Sequence, residues 1–294
     1  MGAPHRGSPD SEVGRESQAI AGTSVGAGLC KAADPRDAEG PQWNALWRDV
    51  CGVGDDPAVF PHKSQWEWTQ GIHGLVRLGQ ITEQATALGV GAGHEPPIYW
   101  LANHIGHVVA TDLYTGSYAY EDGRPASDDP AMLTNPEKFA PYPYRRERLS
   151  VGIMDGRSLA FPDETFDIVF SFSSIEHVGG HDESTKMARE MARVAKADGI
   201  VVISTEMIVQ APWLRRLAAF PVNRTYFWPD QIQPVLLAPA GLHLVGSMNT
   251  RVRQDDIAAA PVVGRPTGAR TYCMRVGRLG KTTFTPVMLF AQKG

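Results

Sequence analysis

Three glycines at alternate positions, Gly89, Gly91 and Gly93, with Glu95 just beyond them and Asp112 closing the next apolar run, are the residues best suited to hold a nucleotide. Residues 87–95 read as a strand, a glycine turn and the start of a helix, and residues 108–112 as a second strand ending in an acid. Glycines let the turn backbone approach a ligand closely, and the helix start offers free N–H groups. A carboxylate at the next strand's end can grip ribose hydroxyls. A second group, Glu176, His177 and His181, could move a proton, His177 first because imidazole titrates near neutrality.

These groups need a frame of alternating strands and helices. Residues 149–154 and 166–171 read as short apolar strands, and 184–195 repeats Met187, Met191 and Val194 on one helical face. Residues 200–204 form a buried strand. Asp230 can cap a helix carrying Ile232, Val235 and Leu236, which ends at Gly241 before a strand at 242–245, and residues 286–291 close the chain. Strand and helix in alternation predict an α/β fold, a doubly wound, Rossmann-like, mostly parallel sheet. Ligands of such sheets bind beyond the carboxyl ends of the strands.

Around this frame, residues 1–40 hold few large aliphatics and read as a flexible leader. Residues 41–80 place Trp43, Leu46, Trp47 and Val50, then Trp66, Trp68, Ile72, Leu75 and Leu78, at helical spacing, predicting a two-helix cap. The tryptophans either pack that cap or, for Trp66 or Trp68, join a ligand lid. Residues 81–294 form the binding domain, with inserts at 114–148, 208–228 and 250–281, the last basic and matching no element.

With 294 residues and 43% hydrophobic content the chain can bury a substantial core. A net charge of -4 gives no sign of a general nucleic-acid or membrane-surface binder. Cys30, Cys51 and Cys273 lack C-x-x-C spacing, which predicts free thiols, no zinc site and a reducing, cytoplasmic setting. No metal is expected, since only the loose group His177, His181 and Asp182 approaches ligand spacing.

A nicotinamide dinucleotide fingerprint needs G-x-G-x-x-G, and its third glycine falls on His94 counted from Gly89, or on Pro96 counted from Gly91. Residues 154–169, Met-Asp-Gly-Arg-Ser-Leu-Ala-Phe-Pro-Asp-Glu-Thr-Phe-Asp-Ile-Val, resemble the third and fourth motif region of class I S-adenosylmethionine-dependent methyltransferases. Residues 173–178 and 190–199 continue the resemblance, as does 228–241, so it covers roughly 85–248 and the last strand. It implies the seven-stranded sheet of that family and S-adenosyl-L-methionine as cofactor. By the same resemblance Gly89, Gly91 and Gly93 flank the methionine and ribose, Asp112 accepts from both ribose hydroxyls, and Asp155 accepts from the adenine amino group. Gly156 supplies a backbone contact, Ser171 and Phe172 line the methionyl side, and Leu113 and Met154 complete the set. The chain departs from the pattern at Ala87, where the family usually has an acid. Glu95 can stand in beside the cofactor's ammonium, or be a first-turn residue favoured by the helix dipole.

Methyl transfer is a one-step displacement that asks the protein to align donor and acceptor and exclude water. The expected acceptor is a small molecule, a hydroxyl of a specialised metabolite or saccharide, with His177 as base and Glu176 and His181 behind it; His177 could equally be structural. Tyr118, Tyr120, Tyr142 and Tyr144, with Trp213, Phe220, Tyr226, Phe227 and Trp228, suggest an aromatic-lined pocket. Arg145, Arg146, Arg148, Arg215, Arg216 and Arg224 could clasp a phosphate. Two other readings compete, a nicotinamide-dependent oxidoreductase and a non-catalytic S-adenosylmethionine-binding protein, the latter prompted by Ala87. Neither a nucleic-acid nor a membrane partner is expected.

Overall fold

The computed structural model describes residues 28–56, 58–116, 127–211, 224–263, 268–276 and 282–294. Nine strands are present among them: β1 (Lys31–Ala32), β2 (Thr86–Val90), β3 (His107–Asp112), β4 (Leu149–Ile153), β5 (Phe166–Phe172), β6 (Ala195–Gln210), β7 (Leu242–Leu244), β8 (Met274–Val276) and β9 (Thr282–Lys293). They form a single sheet in the order β1-β9-β6-β5-β2-β3-β4, with β7 and β8 also paired to β9. Strands β2 to β6 run parallel, and β9 lies antiparallel to β6 and to its three short partners. The path β4-β3-β2-β5-β6-β9-β7 supplies the seven strands expected, and β1 and β8 extend the β9 edge.

The order fixes where a ligand can sit. From β2 the chain crosses to β3 on one side and later returns to β5 on the other, so the sheet switches direction at the carboxyl end of β2. The glycine turn stands at that point. One face of the sheet is covered by α1 (Pro41–Cys51), α2 (Lys63–Arg77) and α3 (Pro96–His104), whose Trp47, Trp66 and Tyr99 are fully buried. On the other lies α4 (His181–Val194), with Met187 and Met191 inward, and a compound helical segment over 229–240.

Several expectations change. Residues 28–40 belong to the core rather than a leader, because β1 pairs with β9 and Leu29 and Cys30 are fully buried; residues 1–27 lie outside the described part. The two helices within 41–80 form the sheet's own covering layer rather than a separate cap. Gly71 and Gly74 let α2 approach so closely that a Cβ at either would run into the ring of Phe172 or Phe290. Asp230 is a first-turn residue of the helical segment, whose first N–H, that of Trp228, is capped by the Gln231 side chain at 3.0 Å. The unassigned stretch 250–281 supplies β8 and the buried Tyr272 and Cys273.

Gly74→Ala is expected to cost about 1–3 kcal/mol by overpacking against Phe290. Chemical denaturation measures it, and an unchanged midpoint would show that α2 can draw back.

Candidate functional site

At the switch point the carboxyl ends of β2, β3 and β5 open into a cavity of about 470 Å³. Gly91, Asp112, Leu113, Met154, Asp155, Gly156 and Phe172 line it, as do Glu95, Glu176 and His177. Gly91 adopts φ 64, and a Cβ there would stand 2.6 Å from that of Ser174, whose hydroxyl donates to the Gly91 carbonyl at 2.6 Å. Glycine is thus required for both conformation and space. Asp112 accepts from the Gly93 N–H at 2.9 Å and from its neighbour Leu113 at 2.7 Å, so the acid that ends β3 also shapes the turn. Burial raises the Asp112 carboxyl above its usual range, and those two N–H groups partly offset this.

Glu95 immediately precedes α3, at its N-terminus, and its side chain makes no capping hydrogen bond there. The carboxylate turns to the cavity, where the Trp68 indole hydrogen-bonds it while Oε2 is buried with no partner. Burial holds its carboxyl well above the ordinary glutamate range, and the charges of Glu67, Asp112 and Glu176 add to this. Ala87 is fully buried inside β2, and Glu95, with Asp112, is an acid that faces this end of the cavity.

The inner wall is a cluster that local sequence patterns do not reveal. Lys63, at the start of α2, lies 3.0 Å from Glu206 of β6, 3.5 Å from Glu67 and 3.3 Å from the Ser173 hydroxyl. Arg224 approaches Glu206 at 3.6 Å. Ser173 holds φ 52 at the end of β5, anchored by its hydroxyl to Glu67 and by its N–H to Ser204 Oγ at 3.0 Å. Such strain persists where surroundings over-determine the backbone. Burial opposes ionising Glu206, yet Lys63 and Arg224 outweigh it and hold its carboxyl below the usual value. The Lys63 ammonium is likewise stabilised, with Glu206 and Glu67 overcoming its burial. Glu67 and Glu176 go the other way: burial raises both, and Glu176, repelled also by Glu206, is pushed up to about 8.

A stability effect follows from Glu176. The folded chain keeps this proton up to about pH 8, whereas an unfolded glutamate releases it near pH ~4.3. Between these values the native state binds more protons, so stability falls as pH rises through the window. Across about pH 5 to 8 the melting temperature of wild type is therefore expected to fall further than that of Glu176→Gln. Parallel slopes would contradict the burial of this acid.

Other expected residues lie elsewhere. Ser171 faces away from the cavity, its hydroxyl buried and unpartnered, because alternation along β5 gives the cavity side to Phe172. Of the other turn glycines, a Cβ on Gly89 would meet Phe170 at 2.8 Å, and Gly93, at φ 47, lies against the backbone of Ser127, which itself lines the cavity. His181 is held by the Tyr226 carbonyl at 3.1 Å and packs on Phe227, outside the cavity. Asp155 lines the cavity with its carboxylate engaged by Arg157 at 2.7 Å. Arg145 and Arg148 pair with Glu83, and Arg146 with Glu137, so none reaches the site. Tyr142 and Tyr144 pack elsewhere, and the described lining is acidic more than aromatic. Trp66 donates to Asp37 at 2.9 Å as a packing residue, and it is Trp68 that touches a cavity group. Tyr118, Tyr120, Trp213, Arg215, Arg216 and Phe220 lie outside the described residues. Missed by sequence were Lys63, Glu67, Ser173 and Glu206. The signal was slight: an i, i+4 Lys–Glu pair, and one acid interrupting the apolar run of β6.

A family model described as a methyltransferase domain matches residues 88–203, from within β2 to within β6. The chain is 26% identical over 189 residues to methyltransferase GfsG of Streptomyces halstedii, covering 58% of this chain and 62% of that protein. It therefore spans less than two thirds of that relative's length. A solved structure from Galdieria sulphuraria, assigned as a sarcosine dimethylglycine methyltransferase, is 16% identical with a TM-score of 0.50 over 86% of this chain and 98% of that one. The YcgJ protein of Bacillus subtilis, also 16% identical, aligns with a TM-score of 0.47 over 76% of this chain and 98% of its own. At such identities structural likeness speaks to the fold alone.

Proposed function

This chain carries a class I S-adenosylmethionine-dependent methyltransferase domain, and from that premise we propose that the whole protein transfers a methyl group to a small-molecule acceptor bound in the same cavity. When bound, the cofactor supplies an electrophilic methyl on sulfur. The observation that carries the reading is the pair of acids on either side of the glycine turn: Asp112 at the end of β3, suited to ribose hydroxyls, and Glu95 with a buried, unpartnered oxygen, suited to the ammonium. Asp155, braced by Arg157, would take the adenine amino group, with Met154 and Leu113 beside the ring and Gly156 close to it. Phe172 would lie along the methionyl side.

A hydroxyl acceptor of a metabolite or saccharide must lose a proton. His177 and Glu176 are the candidates lining the cavity; His181 is not among them. Free, buried Cys30, Cys51 and Cys273 agree with a cytoplasmic setting, and no described helix is long and apolar enough to cross a membrane. The reading of a binder without chemistry rested on Ala87, and Glu95 supplies the acid that Ala87 does not.

Glu95→Gln should weaken S-adenosylhomocysteine binding about tenfold or more, the loss of one charge-assisted hydrogen bond. Titration calorimetry decides, and unchanged affinity would remove Glu95 from the ammonium site. Methyl transfer itself is tested by incubating the chain with methyl-labelled cofactor and pooled small-molecule extracts. Label entering a product above the boiled control supports the proposal; label entering none, with cofactor bound, supports a non-catalytic binder.

A further inference from the structure

The inner wall has unmet hydrogen-bonding capacity of one kind. Glu67 Oε2, Glu176 Oε1 and Glu206 Oε2 are each buried without a partner, and all three residues line the cavity beyond Phe172 and Ser173. Leaving such oxygens bare is costly, so a ligand that fills this end must bring donors. Lys63 and Arg224 hold Glu206 ionised, whereas burial still raises Glu67 and Glu176, which therefore lack a full counter-charge that a cationic ligand would supply.

We propose that this wall is the acceptor's subsite, that it takes an amine, and that Glu176 receives the proton the nitrogen must lose. The inference rests on the methyl-transfer reading and names its substrate class. An ammonium offers three donors from one atom together with a compensating charge, whereas an alcohol offers one donor and none. Phe172, where this wall meets the cofactor's methionyl side, offers an apolar surface for a hydrocarbon body.

The chemistry agrees with the placement. An ammonium cannot attack, because its lone pair is held in an N–H bond. Glu176 holds its own proton up to about pH 8, so the arriving ammonium first displaces that proton to water; the resulting carboxylate then takes a proton from nitrogen, the freed pair forms the new N–C bond as the methyl's C–S bond breaks, and the electrons of that bond stay on sulfur. Burial raises Glu176 to about 8, so once ionised it takes that proton more readily than an ordinary glutamate would. The groups that set this value face Glu176 from each neighbouring element: Glu206 on β6, and Lys63 and Glu67 on α2. His177 and Arg224 stand beside Glu206. An alcohol, a far weaker acid than an ammonium, gains much less from a carboxylate so tuned.

The test uses the full chain saturated with S-adenosylhomocysteine and titrated with phenethylamine or 2-phenylethanol, two probes of matched shape. The amine is expected to bind about tenfold or more tighter than the alcohol. Glu176→Gln is expected to reduce amine affinity about tenfold while leaving alcohol and S-adenosylhomocysteine affinities unchanged. Glu67→Gln should act in the same direction, and either variant's retained S-adenosylhomocysteine binding shows that it is folded. Equal binding of the two probes, binding of neither, or an amine affinity indifferent to both substitutions would overturn the amine subsite. Failure of wild type to bind S-adenosylhomocysteine would instead strike the methyl-transfer reading beneath it.

Discussion

Replacing Asp112 by Ala is expected to abolish measurable S-adenosylhomocysteine binding while the chain stays folded. The carboxylate stands at the carboxyl end of β3, lines the cavity and already accepts from the Gly93 and Leu113 N–H groups. A ribose would add two hydroxyl donors to it. Hydrogen bonds to a charged group contribute about 1.5–3 kcal/mol each, so losing both costs a factor between about a hundred and ten thousand. The turn would loosen as well, since the Gly93 N–H loses its acceptor. Asp112→Asn keeps one acceptor oxygen and should lie between the variant and wild type. Calorimetric titration measures both, and wild-type affinity in Asp112→Ala would dissolve the ribose assignment.

Lys63→Met is expected to have the largest effect on stability. Lys63 ties α2 to β5 and β6, and its side chain and that of Glu206 are 14% and 2% exposed. Removing one partner of a buried ion pair leaves an uncompensated charge and costs about 3–5 kcal/mol. For a chain of this size that lowers the melting temperature on the order of 10 °C. Because Glu206 can take up a proton once Lys63 is gone, the deficit should shrink as pH falls below the ordinary glutamate range. Thermal unfolding at neutral and acidic pH measures both effects. A loss under about 1 kcal/mol, the value of an exposed pair, would show that water reaches the cluster.

The turn and Asp112 were legible in the sequence because every group involved lies within one βαβ unit, where glycine spacing and the strand-end acid are local signals. The parallel sheet was legible for the same reason, strand by strand. The inner wall was not, since Lys63 and Ser173 are 110 residues apart and only the crossing of α2 over β5 joins them. Ser171 shows a finer limit: a one-residue phase along β5 decides which side chain meets the cavity, and the apolar run around it carries no alternation. The two residues of β1 are too few to show any period, so its pairing with β9 emerges only from the fold. His181 looked chemical by residue type alone, and a backbone carbonyl occupies it.

The central claim is that the glycine turn, Glu95 and Asp112 hold S-adenosylmethionine. Calorimetric titration of the purified chain with S-adenosylhomocysteine, beside a parallel titration with reduced nicotinamide dinucleotide, tests it most directly. One equivalent of S-adenosylhomocysteine should bind and the nicotinamide should give no heat of binding. No response to S-adenosylhomocysteine, or saturable binding of the nicotinamide in its place, would contradict the account.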